Sequence, residues 1–202
     1  MKRHGTIIGT LSVLAIATIG WLGMKGLTTN PNALMSQLVG KAAPAIEANT
    51  AQGDKFSLNE HLGKRWVVLN FWMTSCIVCR EEAPELQRFY EDVTLKSPTN
   101  PLFVSINIQE SNSEILNYLR DMKQTFPVVS DRDGRISLEY GVYGTPETFF
   151  IDLQGKVRHR VAGGVDTDSI LRFVDWLEKN PNITPEQASE GFVMSRGPKM
   201  GG

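Results

Sequence analysis

The order of hydrophobic and polar positions predicts most elements of this chain. Thr6–Met24 (TIIGTLSVLAIATIGWLGM) carries no charged residue, and about 19 residues suffice for one helical crossing of a bilayer core. Thr28–Gly40 is more polar and reads as a spacer. Ala45–Ala48 and Lys55–Leu58 flank Gly53-Asp54, which predicts a short hairpin. Trp66–Trp72 (WVVLNFW) is a continuous β-branched and aromatic run, as a central buried strand requires. Leu86, Phe89, Tyr90 and Val93 recur at helical spacing; Pro84 is expected to kink that helix near its first turns, and Ser97–Pro101 to break it. Leu102–Ile108 predicts another strand. Ile115, Leu116, Leu119 and Met122 stripe a second amphipathic helix. Val128-Val129 opens a short strand before a turn at Asp131–Gly134. Glu147–Asp152 and Lys156–Ala162 form an antiparallel hairpin across Leu153-Gln154-Gly155. Ile170, Phe173, Val174 and Leu177 stripe a last helix, capped by Asp166 or Thr167. A βαβ segment followed by ββα is an α/β layered domain with a mixed sheet.

Composition changes this picture little. With 202 residues, 21 basic and 22 acidic side chains and a net charge of -1, the chain suits one globular domain with appendages. Nothing in the charge pattern points to nucleic acid. The N-terminus is more informative. Met1-Lys2-Arg3-His4 is basic and precedes the uncharged run, so the start is expected inside and everything after Lys25 outside the cytoplasm. A cleaved signal peptide is the rival reading, but Ala15-Ile16-Ala17, which resembles a cleavage site, sits within the apolar run rather than after it. The division expected is a signal-anchor over 1–27, a linker over 28–40, the α/β domain over 41–180, and a Pro-, Gly- and polar-rich flexible tail over 181–202.

The chemistry concentrates in FWMTSCIVCREEAP, residues 71–84, which holds both cysteines of the chain. Cys76 follows the predicted buried strand and stands where a helix begins, so the helix N-terminus favours its thiolate. Cys79 lies on the same face, one turn deeper, which suits an exposed attacking sulfur and a sheltered resolving one. Two other readings compete. Structural zinc needs four ligands, whereas no second C-x-x-C is present and His61 and His159 stand apart in sequence. A purely structural disulfide closes so short a loop that its chain-entropy contribution is small. A cycling redox pair, needing no metal or cofactor, fits the residues best.

Three stretches carry a family resemblance. GVYGTPETFFID (Gly141–Asp152) is very close to a motif of the TlpA/ResA/CcmG-like thiol:disulfide oxidoreductases, particularly the CcmG (DsbE) type. FWMTSCIVCREEAP looks like their cysteine signature, and Gly40–Lys64 resembles their N-terminal hairpin. The resemblance covers about residues 39–180, at the motif spacing of thioredoxin folds. It implies a thioredoxin-like fold with a mixed central sheet and an N-terminal hairpin extension, tethered by one transmembrane helix and facing outside the cytoplasm. It further implies reduction of protein disulfides, most familiarly in apocytochrome c before haem attachment, with re-reduction by a membrane electron donor of the CcdA or DsbD kind. Residue by residue, Cys76 matches the nucleophile and Cys79 the resolving thiol. Pro146 matches the cis proline facing the disulfide, and Thr145 is the residue whose backbone such a bond presents to substrate. Glu82 matches an acidic residue beside the pair, and Glu147 the acidic residue after the proline.

The chain departs from that pattern at Ser75 and Val78, where the family usually has Trp and Pro. The apolar dipeptide Ile77-Val78 is expected to disfavour both thiolates by desolvation. A general envelope or spore-maturation thiol reductase is the nearest alternative function. A thiol peroxidase lacks support because Thr74 stands two rather than three residues before Cys76, where the peroxidase signature P-x-x-x-T-x-x-C has its threonine. A copper-binding assembly factor usually has C-x-x-x-C, one residue longer than the pair here.

Overall fold

The central strand of the computed structural model is β3, Val67–Trp72, buried at all six positions. The structure describes residues 37–196 together with Thr18, Gly20 and Trp21. The expected signal-anchor therefore lies outside the described residues but for those three positions; among the described residues no helix is long and apolar enough to cross a membrane. Two short strands, β1 (Glu47–Asn49) and β2 (Lys55–Ser57), pair antiparallel as the predicted hairpin. After β3 come helix α1 (Ile77–Phe89), β4 (Leu102–Ile108), α2 (Asn112–Asp121) and β5 (Val128–Asp131). They are followed by α3 (Arg135–Tyr140), β6 (Glu147–Ile151), β7 (Val157–Ala162), α4 (Thr167–Lys179) and α5 (Pro185–Ser195).

The five long-range strands form one mixed sheet in the order β5-β4-β3-β6-β7. β3 runs parallel to β4 and antiparallel to β6, so the two expected halves, βαβ and ββα, join along β3. Because side chains alternate along a strand, β3 feeds two cores. Val67, Leu69 and Phe71 pack with Ile46, Leu58 and Tyr140 on one face. Val68 and Trp72 pack with Phe89, Ile115, Phe150 and Phe173 on the other, under α1, α2 and α4. Asn70 also points to this second face, beneath α1.

Three features add to or depart from the expected pattern. Helix α1 continues through Pro84, two turns into the helix, and its stripe runs on into a π-helical turn over Tyr90–Thr94. Helix α3 occupies what the sequence reading left without an element, because six residues give too little periodicity to detect. Left-handed Gly134 and Gly141 bound it, and the Asp131 carboxylate accepts the N–H groups of Ile136 and Ser137 at 2.9 and 2.8 Å. The expected flexible tail over 181–202 instead contains α5. Thr184 and Gln187 form a capping box with Pro185 at its start, and Phe192 packs on Phe173 at 5.1 Å.

Candidate active site

Helix α1 begins where β3 delivers the chain to the end of the sheet. Cys76 is its N-cap, in extended conformation, and its sulfur accepts the N–H of Cys79 at 3.1 Å. The two cysteines are disulfide-bonded, with Cα atoms 5.2 Å apart. Cys76 is half-buried, whereas Cys79 is 3 % exposed and belongs to the core beneath α1. Cys79 is the sheltered sulfur expected from the spacing, and Cys76 is the more accessible of the two rather than fully exposed. Ile77, by contrast, is 72 % exposed and Val78 is also exposed. The apolar dipeptide thus turns toward solvent, and the burial of Cys79 comes from the sheet.

Glu82, one turn beyond Cys79, is a buried carboxylate at 5 % exposure. Its Oε1 accepts Asn70 Nδ2 at 3.0 Å and its Oε2 accepts the Val165 N–H at 2.9 Å. Those bonds favour the ionised form, but burial outweighs them and raises the pKa to about 7. Cys79 and Glu82 line one cavity of about 10 Å³ with Asn70, Trp72 and Tyr118, a volume on the scale of a single water. Asn70 Oδ1 and the Tyr118 hydroxyl are buried there without hydrogen-bond partners. Burial raises the Tyr118 pKa; Arg80 opposes it, and the charges of Glu82 and Glu110 add smaller upward effects.

The Thr145–Pro146 peptide bond is cis, and the Thr145 carbonyl lies 3.5 Å from Cys76 Sγ. Glu147, expected at a substrate-binding position, has its side chain 1 % exposed and turned inward. Its Oε1 accepts the N–H groups of Tyr143 and Gly144, both at 3.1 Å, and Oε2 pairs with Arg160 Nε at 3.1 Å. Burial raises its pKa, opposed by those two N–H groups and by Arg160. The Arg160 guanidinium in turn lies over the Tyr143 ring, 4.2 Å from its centroid. Glu147 therefore fastens the loop that carries Thr145 and Pro146 to the sheet.

Cys76, Cys79, Glu82, Thr145 and Pro146 thus meet at one end of the sheet, with Glu147 behind them. The sequence reading missed three contributors. Asn70 is the one polar residue inside WVVLNFW, a signal that a buried polar partner waits on the facing helix. Glu110 holds the approach to Cys76: its carboxylate accepts the Thr74 N–H at 2.9 Å, the Thr74 hydroxyl at 2.7 Å and Asn107 Nδ2 at 2.6 Å. The Val165 N–H is backbone, and no side-chain pattern announces it. His61 and His159 lie away from the sulfurs, one stacked on Phe56 and the other packed against Phe173.

A thioredoxin-like sheet bearing a closed C-x-x-C pair at the head of its first long helix defines the class, a thiol–disulfide oxidoreductase. The chain belongs to the AhpC/TSA family, which matches over residues 39–160. It is 32 % identical over 167 residues to the thiol:disulfide interchange protein DsbE of Pseudomonas fluorescens biotype C, covering 82 % of this chain and 88 % of that one. The thiol-disulfide oxidoreductase ResA of Bacillus thuringiensis subsp. konkukian is 28 % identical over 175 residues, covering 86 % and 97 %. Among solved structures, a thioredoxin-family thiol:disulfide interchange protein from Chlorobium tepidum superposes with a TM-score of 0.59 at 24 % identity, over 67 % of this chain and 94 % of that one.

Proposed function

We propose that this oxidoreductase works outside the cytoplasm as a reductase of protein disulfides, with apocytochrome c awaiting haem as its substrate. The observation that carries the reducing direction is Glu82, buried one turn beyond Cys79 with a pKa raised to about 7. A carboxylate beside the sulfurs opposes thiolate formation. That removes the stabilisation of the reduced form on which strong oxidants depend. The cytochrome assignment draws on the likeness of Gly141–Asp152 to the CcmG type.

In the reduced protein the Cys76 thiolate attacks a substrate disulfide, forming a mixed disulfide and releasing one substrate thiolate. Cys79 gives its proton to Glu82, directly or through a water in the shared cavity, and attacks Cys76 Sγ. The second substrate thiol leaves, and the Cys76–Cys79 disulfide closes. Two electrons pass to substrate, and its two sulfurs take up two protons. The backbone of Thr145, presented by cis Pro146 beside Cys76, pairs with an extended substrate segment. Glu147 holds that loop in place. A dithiol donor in the membrane, of the CcdA or DsbD kind, reopens the disulfide. Residues 1–27 anchor the domain beside that donor, and the two sulfurs suffice without a cofactor.

Cys79→Ser tests this reading, because it leaves the mixed disulfide unresolved. Expressed in its host, the variant should accumulate a covalent adduct on Cys76 that a reductant releases as apocytochrome c. Adducts made only of other envelope proteins would remove the cytochrome assignment. A wild-type potential near about -120 mV, the value of a dedicated oxidant, would sink the reductase reading itself.

A further inference from the structure

We propose that Arg196, at the end of α5, is a positioning residue of the redox site and acts through the single peptide group joining Gly164 to Val165. The oxygen of that group accepts Arg196 Nη2 at 2.6 Å. Its N–H is the one donated to Glu82 Oε2 at 2.9 Å. A guanidinium on the carbonyl polarises the amide and strengthens the bond its N–H makes on the other side. Arg196 therefore favours ionised Glu82 from the far side of a peptide plane, without touching it.

The surroundings are built to hold this arrangement. The Arg196 guanidinium lies over the Phe192 ring, 4.9 Å from its centroid. Arg172 Nε on α4 donates to the Ser195 carbonyl at 2.6 Å and fixes the last turn of α5. On the inner side the backbone at Gly164 lies flush on α1. A Cβ at that position would stand 3.3 Å from Val78 Cγ1 and 3.5 Å from Glu82 Oε2. Arg196 thus presses one short loop onto both the dipeptide between the cysteines and the buried acid. It stands beyond residues 39–160, the span of the family match.

Other groups near Glu82 are accounted for. On α1, Cys79 precedes it by one turn, and Glu85 is engaged by Arg88 and Thr167. From α2 comes Tyr118, with Arg80 lying over its ring. Asp166 caps its own helix through Ser169. From β3 and β6 come the neutral Asn70 and Thr148. With the disulfide closed, no thiol titrates beside Glu82, so its carboxyl can be followed alone.

The inference rests on Glu82 acting on the thiols, but its test does not. The carbon resonance of the Glu82 carboxyl is titrated in the oxidised full chain, for wild type, Arg196→Gln and Arg196→Lys. Loss of the guanidinium should raise the Glu82 midpoint by about half a pH unit, and lysine should recover part of that shift. The Val165 amide proton should move upfield in the glutamine variant. A chain ending at Ser195 supplies a second route to the same loss and should show the same midpoint. Arg196 is exposed, so neither substitution opens a core. A Glu82 midpoint and Val165 amide unchanged in the glutamine variant would overturn the proposal. Wild-type thiol titration in Glu82→Gln would instead remove the role given to Glu82, while the carboxyl midpoint still reports on Arg196.

Discussion

Asn70 and Val165 each donate an N–H to Glu82, yet desolvation still carries its pKa from 4.5 to about 7. An acid whose folded pKa is raised binds more protons folded than unfolded between those two values. Its favourable contribution is complete below about 4.5 and is lost as pH rises through about 7, a change on the order of 3 kcal/mol. His159, lowered to about 4 by burial and then by Arg160, slopes the other way. Its neutral form adds stability above 6.5 that is lost as pH falls through about 4. The difference between wild type and Glu82→Gln therefore isolates Glu82. Glutamine suits the site, because Asn70 can turn its unpaired Oδ1 toward the new amide. The variant should gain on wild type, in chemical denaturation, as pH rises from 5 to 8. Its thiols should titrate lower, and its potential should move in the oxidising direction by about 30 mV, a tenfold change in equilibrium. Parallel stability curves with an unchanged potential would make Glu82 a spectator.

Among the elements, those with long or continuous patterns were legible and short or backbone-made ones were not. β3 and β4 were readable because an apolar run admits few alternatives, and α4 because its stripe spans two turns. α3 was hidden by its six residues. In α2 the sequence stripe chose Leu116, which is exposed, whereas the side chain packed under the active site is Tyr118. A phenol at helical spacing reads equally as surface or core, and only the facing Trp72 decides it. The cysteines, Glu82 and Pro146 carried local motifs, while Glu110 and Asn70 act across elements and left only single polar residues to notice. α5 was legible in retrospect, since Thr184-Pro185-Glu186-Gln187 is a capping box with proline at the first helical position. Its docking depends on Gly191, where a Cβ would stand 2.5 Å from the Trp176 ring. Alanine favours an isolated helix over glycine by about 1 kcal/mol. Here it must push Trp176 off its stack with Phe173, an overpacking worth about 1–3 kcal/mol. Gly191→Ala should therefore destabilise the protein and speed amide exchange across Pro185–Ser195. Gained stability would mean that Trp176 moves aside without loss.

For the whole molecule, the question is what residues 1–34 contribute to a domain that holds its own core. Every residue of the two described clusters lies between Leu38 and Phe192, and chain contacts divide the molecule into Met1–Leu34 and Met35–Gly202. The redox site, the loop around cis Pro146 and α5 all belong to the second unit. A tether adds no contact to the site, but it converts encounter with a membrane donor into a near-intramolecular step, at an effective concentration in the millimolar range for a short linker. The linker expected over residues 28–40 is short. A chain beginning at Met35 should therefore melt with the full-length domain and reduce a soluble disulfide substrate at the same rate when a small dithiol regenerates it. The same chain should leave the membrane fraction and turn over slowly when the only reductant is a membrane-embedded dithiol. Equal recovery of both chains in membranes would sink the anchor. A shorter chain that fails to fold would place part of the core before Met35.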